Sequence, residues 1–473
     1  MLIEKNWLTS YTGDPFADAG GFVIKQLWQE EQFKDKSILE LIEYVANHYI
    51  YRWEAKIHRL FHNSPITQPA YPIEKKFSET IDYYKGLLNE TKEYKEGYCR
   101  ISGRKTKLYP AGRGNVVLSG SGEYINFHSN FEGGLYLSKE MMIRMFFLPL
   151  GVVVLNDKIA LMSSNLPDIT EHFVKENLER NLQEIAAGIS QKIPKSPFKF
   201  PGNAIFSFID HYLLRIKSFK GYKEEEIQEK INASISLFHF TNYAAIPDAN
   251  IYSLDSKVFQ FYAACNQSMF QKVWNQFLRS NYQNHKLKDS KFDVDTETWK
   301  VKGEQLDYEV YKAWKNKILD NLMNGKSILP MILKWLVNHP FPSEITDYYL
   351  NYIRNMDNKT IEMVRKVADF ISNGSEDDIA KDIKRLRGHK SAYEIKTFAV
   401  NLLSKNYEAA APAPLFSVDD YVNYLFPEGG FWRETKNLLL VAIYENLHKQ
   451  GKKVEISDLD DNDEITQDTD INN

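Results

Sequence analysis

Between Gly97 and Gly134 the chain reads GYCRISGRKTKLYPAGRGNVVLSGSGEYINFHSNFEGG, a stretch whose residue types suit a polyanion. It holds eight of the protein's 23 glycines in 38 residues. From Cys99 to Gly122 it carries Arg100, Arg104, Lys105, Lys107 and Arg113 with no acid. Glycine permits positive φ and close backbone approach. Glycine turns expose nests of N–H groups, and such nests and guanidinium forks both favour phosphate. The same composition fits a twisted meander whose turns need glycine and whose charges are merely solvated. Short β-type pieces are expected at Lys107–Tyr109, Val116–Leu118 and Tyr124–Phe127.

Other chemistry is poorly provided for. His58 and His62 stand four residues apart, as zinc ligands on a helix do, but Arg59 stands next where a catalytic Glu belongs. Gly325-Lys326-Ser327 mimics the end of a phosphate-binding loop, yet Asp320 occupies the place of its first glycine. The sequence has no His-Asp dipeptide and no Gly-x-Ser-x-Gly elbow. Cys99 and Cys265 are the only cysteines, which excludes a disulfide framework or an all-Cys zinc site within one chain. The chemistry on offer is binding, with no catalytic residue, cofactor or metal ligand assigned.

The elements that must position the Gly/Arg stretch are legible in the patterning. At 473 residues and 43% hydrophobic content the chain has material for two or three cores. Thr12-Gly13-Asp14-Pro15 reads as a turn, with Asp18 placed to cap the next segment. Ile38 to Leu60 has helical spacing, as does Leu135 to Phe147. Asn156-Asp157 splits two apolar runs into a tight hairpin, so a sheet-containing unit is expected over 97–163. Lys192, Lys195, Lys199, Arg215, Lys217, Lys220 and Lys223 form a second basic stretch, interleaved with Phe198, Phe200, Phe206, Phe208, Tyr212, Phe219 and Tyr222. It fits stacking on nucleic acid, or a linker and an amphipathic helix with an aromatic core, the preferred reading. From 204 to 450 the pattern is almost wholly helical and ends in a bundle. There Lys381, Lys384, Arg385, Arg387, His389 and Lys390 cluster, as a nucleic-acid groove or a solvated face.

Net charge is −4, but the last 19 residues hold eight acids and no base, leaving the body at 59 basic against 55 acidic residues. The tail has the composition of a disordered segment. The N-terminus lacks a signal pattern and the most apolar stretch is too short to span a membrane, so a soluble, cytoplasmic protein is expected. The fold class expected is α+β, with an N-terminal domain over 1–323, a helical bundle over 324–453 and an acidic tail over 454–473.

Several pieces occur in the order found in one family. Thr12-Gly-Asp-Pro-Phe-Ala-Asp18-Ala-Gly20 resembles the opening of the CXXC–CXXC family of CRISPR-associated proteins. Cys99-x-x-Ser102-Gly103, Leu108-Tyr-Pro110, Gly122-Glu-Tyr-Ile-Asn126-Phe127 and Gly134-Leu-Tyr come next in its order. Phe431 to His448 is similar to its closing helix. The family's two zinc knuckles are degenerate here, reduced to Cys99-Arg-Ile-Ser102 and a second site without cysteine. Structural zinc needs four ligands, so packing by Tyr98, Leu108, Leu118, Leu135 and Met141 is expected to replace it.

The resemblance implies a non-catalytic large subunit of a type I-A or I-B Cascade, the CRISPR RNA-guided surveillance complex for antiviral defence. Such a subunit reads the protospacer-adjacent motif (PAM) on duplex DNA, helps separate the strands and stabilise the R-loop, and recruits a helicase–nuclease. Its partners would be double-stranded target DNA, the displaced single strand, and the CRISPR RNA ribonucleoprotein with its backbone subunits. On this view Asn115, Asn126, Phe127 and His128 are base or wedge readers, with Arg100, Arg104, Lys105, Lys107 and Arg113 on phosphate. The bundle looks like a fused small subunit, presenting Lys381, Lys384, Arg385, Arg387 and Lys390 to the displaced strand. Internal translation from Met323 or Met331 would also make it as free copies. The alternatives are a helical adaptor without DNA contact, or a metal-dependent nuclease.

Overall fold

The computed structural model describes residues 5–119, 134–218, 224–241, 248–287, 290–427 and 432–455. By packing, the chain divides into one unit of residues 1–256 with 312–315 and a second of 257–311 with 316–473. The boundary expected at 323 thus lies inside the second unit. The fold is α+β.

The first unit is built around α2 (Pro15–Leu27), which comes after α1 (Lys5–Thr9) and is buried on nearly every side. Asp14, not Asp18, is its N-cap: the Asp14 carboxylate accepts from the Phe16 and Ala17 N–H groups. Asp18 instead reaches back, accepting from Thr12 N–H (2.8 Å), Thr12 Oγ1 (2.7 Å) and Gly13 N–H (2.8 Å). Gly20 faces the backbone of Arg144 so closely that an added Cβ would overlap its carbonyl. The run from Ile38 is helical only to Asn47 (α3); a π-helical turn at His48–Arg52 ends it, and the chain leaves through left-handed Glu54 and Ala55. His58 therefore sits in a turn, not on a helix.

After α4 (Ile73–Leu88) come β1 (Lys95–Tyr98), β2 (Lys105–Ala111) and β3 (Leu135–Leu137), a three-stranded antiparallel sheet in that order. Val116–Leu118 is a turn and not a strand, with Leu118 at φ +54°. Leu135–Leu137 is strand rather than helix, and α5 (Lys139–Phe147) starts only after Ser138 caps it. The expected hairpin forms between β4 (Val153–Leu155) and β5 (Lys158–Ser164), turning through Asn156 and Asp157 at positive φ. It belongs to a second sheet, in the order β4-β5-β6-β7, with β6 (Ile235–Thr241) and β7 (Asp248–Leu254). The unit expected over 97–163 is thus two sheets, and the second takes half its strands from sequence read as helical. Between β5 and β6 run α6 (Pro167–Ala186), α7 (Pro201–Ser218) and α8 (Glu224–Ile231).

The second unit opens with α9 (Ser256–Cys265) and α10 (Gln271–Arg279). Next come short β8 (Tyr282–Gln283), the antiparallel hairpin meander β9 (Lys291–Asp293), β10 (Thr298–Val301) and β11 (Glu304–Leu306), and α11 (Tyr308–Tyr311). The rest is helical: α12 (Lys317–Met323), α13 (Leu329–Leu336), α14 (Ser343–Tyr348), α15 (Asn358–Ser372), α16 (Glu376–Gly388), α17 (Ala392–Glu408), α18 (Val418–Asp420) and α19 (Trp432–Gln450). Leu438 to Tyr444 of α19 are all buried, since the helix packs against α13, α15, α16 and α17. Its buried Glu445 accepts from Thr346 Oγ1 (2.8 Å) and Arg365 Nη1 (3.1 Å), satisfying a charge that would otherwise be costly to bury. No helix among the described residues is long and apolar enough to cross a membrane.

Candidate nucleic-acid interface

The β1–β2 connection is a tight turn built on Cys99. The Cys99 N–H donates to Arg104 O (2.9 Å) and the Gly103 N–H to Cys99 O (2.8 Å), with Gly103 at φ +66°, where a side chain would be strained. The thiol is buried, and the Ser138 N–H donates to its sulfur at 3.4 Å. Burial pushes the Cys99 thiol up, but hydrogen bonds from Ser102, Ser138 and Ile101 outweigh it and leave the group below the ordinary range. One sulfur thus gathers amide donors from its own turn and from Ser138 beyond the Gly-rich stretch. Among the described residues no group of three or more His, Cys, Asp or Glu is placed to hold a metal ion. Of the residues expected to pack here, Leu108 and Met141 are buried and Leu118 and Leu135 half-buried. Tyr98 is not core at all: it is 67% exposed.

The cations of the stretch separate into two groups. Arg100 and Lys105 are exposed on either side of the turn, and Arg113 is exposed on the loop after β2. Arg104 lies over the Trp7 ring, and Lys107 is engaged by Glu90 (2.6 Å), which also takes Lys139 (2.8 Å). Those contacts hold the Glu90 carboxyl below the usual range, first through Lys107 and then Lys139. Asn115 is held as a turn residue: its Oδ1 accepts from Gly112 N–H (2.9 Å) and its Nδ2 donates to Tyr83 Oη (2.9 Å). Asn126, Phe127 and His128, with the strand expected over 124–127, lie outside the described residues. The Tyr98 ring, expected in the packing, is instead exposed opposite Lys105 in the register of β1 and β2, two residues before Arg100. Its place at the end of an alternating strand was the available signal.

In the second basic stretch the aromatic residues Phe206, Phe208 and Tyr212 are core, so they do not offer stacking faces; Phe219, Lys220, Tyr222 and Lys223 lie outside the described residues. Arg215 there donates to His172 Nδ1 (2.6 Å), and Glu176 lies near His172 and His211. Sequence reasoning missed this α6–α7 cluster, because its two halves stand about 40 residues apart and are unremarkable singly.

On α16, Lys381, Lys384 and Arg385 are exposed, as is Lys390 beyond its end. Arg387 instead donates to Tyr444 Oη (2.8 Å) of α19. Acids Glu376, Asp377 and Asp378 open α16 and Arg385 and Arg387 close it, which also complements the helix dipole.

A family model described as the DevT C-terminal domain matches residues 345–471, about a quarter of the chain. The matched part runs from within α14 through α19 and into the acidic tail. No curated protein matches the chain.

Proposed function

We propose that this chain is the non-catalytic large subunit of a type I CRISPR RNA-guided surveillance complex, binding duplex DNA at the PAM through the β1–β2 turn and its neighbouring loop. The observation that carries the reading is the turn itself. The hairpin end sets exposed Lys105 opposite the exposed Tyr98 ring, with exposed Arg100 in the turn, while Arg113 stands exposed on the next loop. Cations on a hairpin tip suit phosphate, and an exposed aromatic suits a base or a strand junction. Lys381, Lys384, Arg385 and Lys390 form a positive track for the displaced strand, which asks only for backbone neutralisation. The match to a named C-terminal domain supports treating the helical part as a recurring module.

The test is reconstitution with guide-loaded backbone subunits on targets that differ only in the PAM. The reading expects the chain to confer PAM-dependent target binding, and no cleavage by the chain alone with any divalent metal. Guide-directed binding that is indifferent to the chain would contradict it, as would cleavage abolished by a single carboxylate substitution.

A further inference from the structure

A pocket of about 170 Å³ lies behind the Gly/Arg stretch, between α4 and the loops that contain Asn63 and Gly114. Roughly 10–15 Å³ suffices for one water, so this space admits a ring-sized ligand. Its buried lining is Phe61, Ile66, Tyr84 and Phe146, together with Ser64 and Thr80, whose hydroxyls are already bonded to Thr67 Oγ1 and Lys76 O. Tyr83 and Asn115, half-buried, give it a polar edge of fixed orientation. Because Gly112 N–H donates to Asn115 Oδ1, the amide must present its nitrogen to Tyr83 Oη. The tyrosine oxygen accepts there, so its own proton remains to be donated. Asn115 Nδ2 likewise has a second N–H to donate. Burial pushes the Tyr83 phenol up to about 12, against the Asn115 hydrogen bond, so it remains a donor at neutral pH.

We propose that this pocket takes one unpaired nucleobase, its faces against the aromatic lining and an acceptor-bearing edge on Tyr83 and Asn115. An aliphatic side chain would fill the space but leave two donors unpaired, which buried donors tolerate poorly. A nucleobase satisfies both demands: it is flat, apolar on its faces and rich in acceptors at its edge. Gly114 and Asn115 belong to the stretch assigned to DNA, with exposed Arg113 next in the chain for the adjoining phosphate. The inference therefore rests on the duplex-binding reading for the source of the base.

The full-length protein is titrated with labelled duplexes, one fully paired and one carrying a single unpaired base, tried as each of the four. Free nucleosides form a separate arm, and the variants are Tyr83→Phe and Thr80→Leu. Thr80 lines the pocket from α4, so leucine there fills it, while Tyr83→Phe keeps the shape and removes one donor. The unpaired base should tighten binding at least about fivefold, an advantage both variants reduce while paired-duplex affinity stays unchanged. Nucleoside binding that Thr80→Leu abolishes also supports the pocket and assigns it a free ligand. Equal affinity for both duplexes, with no nucleoside bound, overturns the pocket and leaves duplex binding standing. Failure to bind either duplex overturns the duplex reading, and the nucleoside arm then decides the pocket alone.

Discussion

Asp18 and Arg144 show how much a short motif can hold. Arg144 is wholly buried, donates to Trp7 O from two nitrogens, and lies 3.4 Å from Asp18, which also fastens the Thr12–Gly13 turn. The Thr12-to-Gly20 segment is thus a structural device for seating α2 on α5. Its residue types were legible in the sequence, but Arg144, 126 positions away, was not. The buried histidines set the pH response of the first unit. Burial, then the charge of Arg215, depresses His172 to about 4, and burial with Arg52 does the same to His48. A depressed histidine contributes stability that is complete above its ordinary value of about 6.5 and is lost as pH falls toward 4. Glu176 runs the other way: burial, reinforced by Glu179 and opposed by Arg215, raises it to about 7, so its contribution is present below 4.5 and lost as pH rises through 7. Denaturant unfolding should accordingly show His172→Gln and His48→Gln flattening the loss between pH 6.5 and 4. Glu176→Gln should stabilise more at pH 8 than at pH 5. Parallel pH profiles for variants and parent would contradict these assignments.

Among the elements, α3 and α15 with their apolar periodicity and α19 with its continuous apolar run were legible from sequence, and so was the β4–β5 hairpin with its Asn156-Asp157 turn. What escaped was β6, whose ISLFHFT alternates burial with period two as far as His239 inside a region otherwise helical in pattern. The separation of β6 from β5 by three helices hid the pairing, because no local signal reports a strand's distant partner. Element packing also bears on whether the helical bundle can exist as a free copy. Phe277 of α10 packs edge-on against Trp335 (5.8 Å) and Phe341 (4.9 Å), and Phe261 of α9 meets Tyr349 (5.6 Å). A fragment starting at 324 lacks both partner helices; burying each such ring is worth about 1.5–3 kcal/mol. A 257–473 fragment should therefore unfold cooperatively, and a 324–473 fragment should be several kcal/mol weaker and bind a hydrophobic dye. Equal stability of the two would show that α9 and α10 are dispensable to the bundle.

For the whole molecule, a formal charge of −4 conceals how the cations are used. The Gly/Arg stretch was visible in the sequence as a zero-acid run, but the split within it was not. Glu90, Trp7 and Tyr83 take up Lys107, Arg104 and Asn115 from outside the stretch, and only folding brings them there. Arg100, Lys105 and Arg113 are exposed, and on the proposed function these three meet DNA phosphate. The direct measurement is the salt dependence of duplex binding by the purified full-length chain, read by fluorescence anisotropy for the parent and for Arg100→Ala, Lys105→Ala and Arg113→Ala. Each substitution should weaken binding to all duplexes alike and lower the slope of log K against log salt by about one. Arg104→Ala should instead mainly lower thermal stability. Duplex affinity that is absent, or that keeps its full salt slope when all three exposed cations are removed, would contradict the account.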